Sequence, residues 1–268
     1  MGKPASSSLI RVGVLGAGGR MGAAIIAAVA ADPRLRLAGA VERAGHTAVG
    51  SALPGGLSVC TNSSALAHSC DVLIDFTTPD ALAGNIESAC LGGCALVIGT
   101  TGLAAAHEAA IDRAGRTIAV LASANMSIGI ALLAALVETA AAQLADWDIE
   151  IAELHHRDKR DAPSGTALLL GAAAAQGRGT TLAAARAAAD RNGVRRGGMI
   201  GFASLRGGSA AGDHSVFLLG DGERLELTHR AERREVFAAG AVRAAAWLAR
   251  RPAGRYAMAD VVRGSPAP

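Results

Sequence analysis

Val12-Gly13-Val14-Leu15-Gly16-Ala17-Gly18-Gly19-Arg20-Met21-Gly22 runs from an apolar strand through a glycine turn into the start of a helix. Glycine allows the tight turn and lets backbone come close to a pyrophosphate, whose charge a helix N-terminus favours. The dinucleotide fingerprint puts its third glycine three residues after the second. Counted from Gly18, that place is held by Met21, and Gly22 comes one later. The next apolar run ends at Val41-Glu42-Arg43. An acidic residue about 20 residues past the loop, at a strand end, suits ribose hydroxyls. Arg43 beside it can instead hold a 2′-phosphate. Gly16, Ala17, Gly18, Gly19, Arg20, Met21, Glu42 and Arg43 are therefore expected to hold a dinucleotide, NADH or NADPH.

Outward from this unit, short apolar runs alternate with alanine-rich helical stretches. Strands are expected at Ile10–Leu15, Leu35–Val41, Val72–Phe76, Ala95–Ile98 and Thr117–Leu121, with helices including Met21–Ala31 and Ala81–Leu91. This alternation predicts a parallel sheet covered on both faces. Ligands of such sheets sit beyond the carboxyl ends of the strands. Gly99-Thr100-Thr101-Gly102 and Ser123-Ala124-Asn125-Met126 each follow a strand and are expected to face the same cofactor.

The pattern changes after about Ser127. A helix, Ile128–Ala145, leads into Asp148–Leu154, where Ile149 and Ile151 alternate with Glu150 and Glu153. Strand-like runs return at Met199–Leu205, Ser215–Leu219 and Arg224–Thr228, before a last helix over Arg234–Arg250. These predict a mixed or antiparallel sheet with one open face. Ala183–Asp190 is low in complexity and suits a plain helix.

His155-His156-Arg157-Asp158-Lys159-Arg160-Asp161-Ala162-Pro163-Ser164-Gly165-Thr166 is the densest charged stretch. A charge run is usually a solvated face. This one directly follows a strand and places two imidazoles and an amine within five positions. It ends in a Pro-Ser-Gly-Thr turn that opens a helix, whose N–H groups can bind a carboxylate. Protonatable His and Lys beside an anion site can deliver a proton when hydride arrives. No metal site is expected, because adjacent strand histidines diverge and no third ligand is evident.

Composition sets the outer bounds. The chain has 268 residues, 51% apolar and 18% charged, which excludes a disordered chain. Net charge is +3 and spread out, with no Lys/Arg tract flanked by aromatics, so nucleic acid is not an expected partner. Thr117–Val137 is uncharged and long enough to span a bilayer, but Ser123, Asn125, Ser127 and Gly129 interrupt it. It reads as strand, polar turn and helix start rather than a membrane span. The first eight residues lack the apolar core of a signal peptide, and their Met-Gly-x-x-x-Ser myristoylation pattern is too short to carry weight. Cys60, Cys70, Cys90 and Cys94 lack zinc-site spacing and read as small buried thiols in a reducing cytoplasm.

Further blocks occur in order: Asp75-Phe76-Thr77, Ile200-Gly201-Phe202-Ala203, Gly212-Asp213-His214 and Leu227-Thr228-His229-Arg230-Ala231. With the glycine loop, the two cofactor loops and the His-His-Arg-x-Lys-x-Asp-Ala-Pro-Ser-Gly-Thr block, they resemble the 4-hydroxy-tetrahydrodipicolinate reductase (dihydrodipicolinate reductase) family of bacterial lysine and diaminopimelate synthesis. The resemblance covers nearly the whole chain. It implies an α/β fold: a Rossmann-like parallel-sheet domain over residues 1–127 and 237–268, and an α+β substrate domain with a mixed open-faced sheet over 128–236. It implies NADH or NADPH as cofactor, a small cyclic dicarboxylate substrate and a homotetramer assembled through the substrate-domain sheets. His155 and Lys159 match the acid/base and proton donor; His156, Gly165 and Thr166 match the substrate-carboxylate contacts. Thr78 stands where many members carry Arg, and Met126 where Phe is common, both near the cofactor.

Two other functions compete at this level. One is a different split-Rossmann amino-acid or semialdehyde dehydrogenase; an acyl-enzyme mechanism there needs a cysteine near the nicotinamide, and Cys90 and Cys94 lie in or after a helix. The other is a non-catalytic dinucleotide sensor, which would not need His155, His156 and Lys159 together.

Overall fold

The computed structural model describes residues 9–187 and 192–264. It forms two compact units: one runs to Met126 and resumes at Phe237, and the other spans Ser127–Val236.

The first unit begins β1 (Ile10–Leu15), α1 (Arg20–Ala31), β2 (Leu35–Val41), β3 (Ala52–Leu53), β4 (Leu57–Cys60), α2 (Ser63–His68) and β5 (Val72–Asp75). It continues through α3 (Pro79–Gly92), β6 (Ala95–Ile98), α4 (Ala105–Ala114) and β7 (Ala119–Ala122). Strands β5 and β6 are buried along their whole length, which explains their unbroken apolar sequence. Helix α1 buries Gly22, Ile25, Ile26 and Val29, a single stripe at helical spacing. Helix α3 starts with Pro79 in its first turn and stops at Gly93 in the left-handed conformation.

The second unit holds α5 (Ile128–Gln143), β8 (Asp148–His155), α6 (Gly165–Gly177), α7 (Leu182–Ala185), β9 (Ile200–Arg206), β10 (Asp213–Leu219) and β11 (Arg224–Arg230). Helix α8 (Glu235–Leu248) leads back into the first unit, with β12 (Gly254–Tyr256) and α9 (Met258–Arg263). Of the low-complexity run Ala183–Asp190, the first residues lie in α7, and residues 188–190 fall outside the described residues. The myristoylation pattern of the first residues is likewise outside them.

The first sheet has the order β12-β7-β6-β5-β1-β2-β4-β3, parallel except for the β3/β4 pair. The second has the order β11-β10-β8-β9, with β8/β9 parallel and the other pairs antiparallel. The fold is thus α/β, a Rossmann-like parallel sheet with a smaller mixed sheet. Among the described residues no helix is long and apolar enough to cross a membrane.

In the second unit, Ile149, Ile151, Ile200, Val216 and Leu218 form a core with Ile130, Leu133 and Val137 of α5 and Leu170 of α6. On the opposite sheet face, alternation places Ala152, Leu154, Leu205, Ser215 and Phe217 together. Leu205 there is 53% exposed.

Candidate active site

In the first unit the glycine turn is shaped by contacts that larger residues would break. Gly16 has φ +86°, and both its N–H and that of Ala17 donate to the Val41 carbonyl, at 2.9 and 3.1 Å. A Cβ on Gly22 would collide with the Gly16 carbonyl oxygen. The close helix-to-turn approach that the fingerprint asks of its third glycine is therefore supplied by Gly22, and Met21 does not interrupt it. Gly19 is the N-cap of α1 and makes no side-chain cap, so the first turn keeps N–H groups for an anion. Glu42 Oε2 accepts the Gly18 N–H at 2.9 Å, and Oε1 accepts that of Arg43 at 2.9 Å. Burial would raise the Glu42 pKa, but these two N–H groups hold it below the usual carboxylate value. An ionised acceptor thus sits at the mouth of the loop, with the exposed Arg43 next to it. Loop, helix end and carboxylate fit a dinucleotide.

The other two loops differ in detail. Asp75, fully buried, accepts from the Thr77 N–H and hydroxyl, the Thr100 hydroxyl and the Asn85 amide at 2.7–3.1 Å. This network ties the ends of β5 and β6 together. It engages the Thr100 side chain internally, while Gly99 packs under the Phe76 ring and Thr101 is exposed. Ser123 donates to the Asn125 carbonyl at 2.7 Å, which holds the Ser123-Ala124-Asn125 turn. Met126 is 2% exposed, so its side chain is packed rather than offered to a ligand.

In the second unit, strand parity carries the chemistry. Glu153 shares its face of β8 with Ile149, Ile151 and His155, and all four are buried. Glu153 is thus not one of the outward polar residues. Its carboxylate accepts from His155 Nδ1, from the Ser164 N–H at 3.2 Å, and from both Arg206 terminal nitrogens at 2.8 and 2.9 Å. Burial alone would raise its pKa, but hydrogen bonds from Arg206, Ser204 and His155 bring it down to about 2. An ionised carboxylate only accepts, so His155 Nδ1 carries a proton and Nε2 is the atom left for chemistry. Burial lowers the His155 pKa below the ordinary imidazole value, against the pull of Glu153. Gly212, at φ +148°, lies where a Cβ would come within 2.9 Å of that Nε2, and so keeps the space beside it open.

Lys159 follows in the loop, its ammonium 2.8 Å from Asp161 Oδ1. The Asp161 carbonyl accepts from Arg206 at 2.6 Å, so the Lys159 and His155 assemblies share one guanidinium. His156 leaves the strand, its N–H donating to the Ala210 carbonyl at 2.9 Å. Ser164 caps α6 by accepting the Ala167 N–H at 3.1 Å. Gly165 then lies exposed in the first turn, with nothing within 4 Å of an added Cβ, and Thr166 follows it. Sequence reading did not single out Glu153, Arg206, Ser164 or His214 as site residues. Among the described residues no three His, Cys, Asp or Glu side chains gather as a metal site.

Comparison with known proteins adds to this geometry. The family model described as "Dihydrodipicolinate reductase, N-terminus" matches residues 10–126, and "Dihydrodipicolinate reductase, C-terminus" matches 129–262. The 4-hydroxy-tetrahydrodipicolinate reductase of Zymomonas mobilis is 50% identical over 258 residues, covering 95% of this chain and 98% of that protein. That of Rhodopseudomonas palustris (strain BisB18) is 47% identical over 263 residues, covering 94% and 97%. A dipicolinate-bound dihydrodipicolinate reductase from Paenisporosarcina sp. TG-14 has the same fold, with TM-score 0.75 at 22% identity over 93% of this chain and 98% of that one. The DAP dehydrogenase of C. glutamicum is similar at TM-score 0.58 and 16% identity, over 97% and 96%, a likeness of fold alone. The competing dehydrogenase and sensor functions are accordingly not favoured. With two adjoining family models across almost its whole length, and close relatives of matching extent, the chain belongs to the 4-hydroxy-tetrahydrodipicolinate reductase family.

Proposed function

We propose that this chain reduces 4-hydroxy-tetrahydrodipicolinate to tetrahydrodipicolinate, consuming NADH or NADPH and a proton and releasing water, with His155 and Lys159 as its proton-handling groups. The observation that carries this assignment is the Glu153–His155 pair. A buried ionised carboxylate fixes Nδ1 as a donor and leaves Nε2 to exchange protons. The bound nicotinamide supplies the hydride. Hydride adds negative charge to a conjugated ring, and the Lys159 ammonium, steadied by Asp161, is the donor suited to complete the reduction. The first turn of α6 at Gly165 and Thr166, with His156, receives substrate carboxylate, because helix N-termini favour anions. Gly16–Met21, Glu42, Arg43, Gly99–Thr101 and Ser123–Met126 hold the cofactor, Met126 through its backbone. A fall in absorbance of NAD(P)H with freshly generated substrate tests the activity; no turnover with either cofactor would refute it.

Glu42 suits ribose hydroxyls and Arg43 a 2′-phosphate, so both cofactors are used. Arg43→Ala is expected to weaken NADPH by roughly 1–3 kcal/mol, the range for a charge-assisted hydrogen bond, and to spare NADH. Titration of both cofactors checks this, and equal losses would show that Arg43 does not read the phosphate.

Among the described residues the outer face of the second sheet has no covering helix; it carries the exposed Leu205 and the half-buried Leu154 and Phe217 among charged residues such as Glu150 and Glu226, and this supports a homotetramer. Light scattering at micromolar concentration is expected to give four times the mass of the chain, and a monomer would rule the assembly out. Four free thiols suit a reducing cytoplasm; Cys70 and Cys94 are buried, whereas Cys90 is half-buried and Cys60, at the end of the short β4, is exposed, contrary to the expectation that all four are buried.

A further inference from the structure

The inward face of the second sheet carries more imidazole than proton transfer needs. His214 of β10 and His229 of β11 are register partners and share that face. His214 Nε2 lies 3.1 Å from the hydroxyl of Ser164, the cap of α6. His229 Nε2 lies 3.3 Å from the hydroxyl of Ser127, the cap of α5. Both helices therefore start at the same end of the sheet, each with its capping serine tied to one of two neighbouring rings. In both rings Nδ1 is buried and has no hydrogen-bond partner.

The orphaned nitrogen fixes the proton. His214 is 3% exposed; burial, with His155 and His229 nearby, pushes its pKa down to about 4, so the ring is neutral and has one N–H. A proton on Nδ1 would bury an unpaired donor, which folded proteins rarely tolerate, whereas an unpaired acceptor is less costly. On Nε2 the proton is donated to Ser164 Oγ. That oxygen then accepts twice, from His214 and from the Ala167 N–H. Both lone pairs are used, and the serine is held in one orientation. The Ser164 N–H is held as well, by Glu153. The residue immediately before Gly165 is thus clamped from two sides.

We infer that His214 is a positioning residue for the reaction: through Ser164 it sets the first turn of α6, and with it the carboxylate anchor at Gly165 and Thr166. His229 and Ser127 form the matching latch on α5 and serve the fold alone. The inference rests on the carboxylate anchor proposed above.

The test compares inhibition by pyridine-2,6-dicarboxylate, substrate KM and the pH profile of kcat across four variants of the full-length enzyme, with NADH affinity as the check on folding. Gly165→Pro probes the anchor itself. It removes one N–H at the first helical position, where proline is tolerated, and Ser164 at φ −63°, ψ 155° already has the backbone that a following proline requires. It is expected to raise the inhibition constant on the order of tenfold or more. His214→Leu is expected to raise that constant and KM on the order of tenfold, leaving the shape of the kcat pH profile as it was. His214→Gln, whose amide N–H can reach Ser164, is expected to recover most of the loss. His229→Leu is expected to leave the inhibition constant within about twofold, since the interaction it loses is not at the anchor. An unchanged constant in Gly165→Pro would overturn the anchor, and the role of His214 with it. A raised constant in Gly165→Pro with none in His214→Leu would overturn the His214 inference alone. Equal effects of His214→Leu and His229→Leu, or no difference between Leu and Gln at 214, would also overturn it, because general loosening of the sheet would then explain the change.

Discussion

His155→Gln and Lys159→Met are each expected to lower turnover by about 10²–10⁴-fold, the usual span for positioned acid–base groups. Glutamine at 155 can still hydrogen-bond to Glu153 but cannot take or give a proton at the position of Nε2. Methionine at 159 keeps the length of the side chain and removes the ammonium that Asp161 holds at 2.8 Å. NADH affinity, read by fluorescence, is expected to stay nearly constant, because the glycine loop and Glu42 belong to the other compact unit. Cofactor affinity falling in step with rate would place both residues at the wrong site. Near-normal turnover in both variants would reduce the cluster to a solvated charged loop.

Glu153→Gln is expected to cost about 3 kcal/mol in stability at pH 7, measured by urea unfolding. The folded-state pKa of Glu153, about 2, lies below its ordinary value of 4.5, and each unit of difference corresponds to about 1.4 kcal/mol. Because the folded pKa is depressed, this stability is fully present above about pH 4.5 and is lost as pH falls toward 2. The wild-type protein should therefore lose stability on acidification through that window, and the Gln variant should lose less. The variant has a second signature. Glu153 raises the His155 pKa, so removing its charge is expected to move the histidine limb of the kcat profile to lower pH. Equal acid sensitivity of both proteins, with an unmoved limb, would show that Glu153 is not the ionised partner of Arg206 and His155.

Elements with a strong period were legible in the sequence. Ile10–Leu15, Leu35–Val41 and Ala95–Ile98 have the bounds their apolar runs predict. Val72–Phe76 is one residue shorter at its end, because Asp75 is drawn into a side-chain network beyond which the chain turns. Thr117–Leu121 begins two residues late, because the Thr117 N–H and hydroxyl serve the end of α4. Strands β3, β4 and β12 escaped notice. They are two to four residues long, too short for alternation, and exist because a neighbour pairs with them. Helix α4 buries only Ile111 and Ala114, so its apolar stripe is too thin to announce a helix.

The site divides in the same way. His155, Lys159, Gly165 and Thr166 of the proposed site lie in one contiguous charged block, which is the signal that names them as candidates. Glu153 carried a usable signal, since it lies two residues before His155 and shares the parity of Ile149 and Ile151. Arg206 and His214 reach the site only through strand pairing, His155 with Arg206 and Glu153 with His214, and no local pattern reports such distant partners.

The strand that ends the first sheet, β12, lies beyond β7 on its outer edge and is made only after the whole of the second unit. On a ribosome, the contiguous second unit can therefore close while the first still waits with β7 lacking its outer neighbour. An open edge of this kind is a template for wrong pairing between nascent chains. Truncation before Gly254 should accordingly damage solubility even though it removes none of the proposed site residues, and expression yield should depend on how quickly synthesis passes from Ala122 to Tyr256.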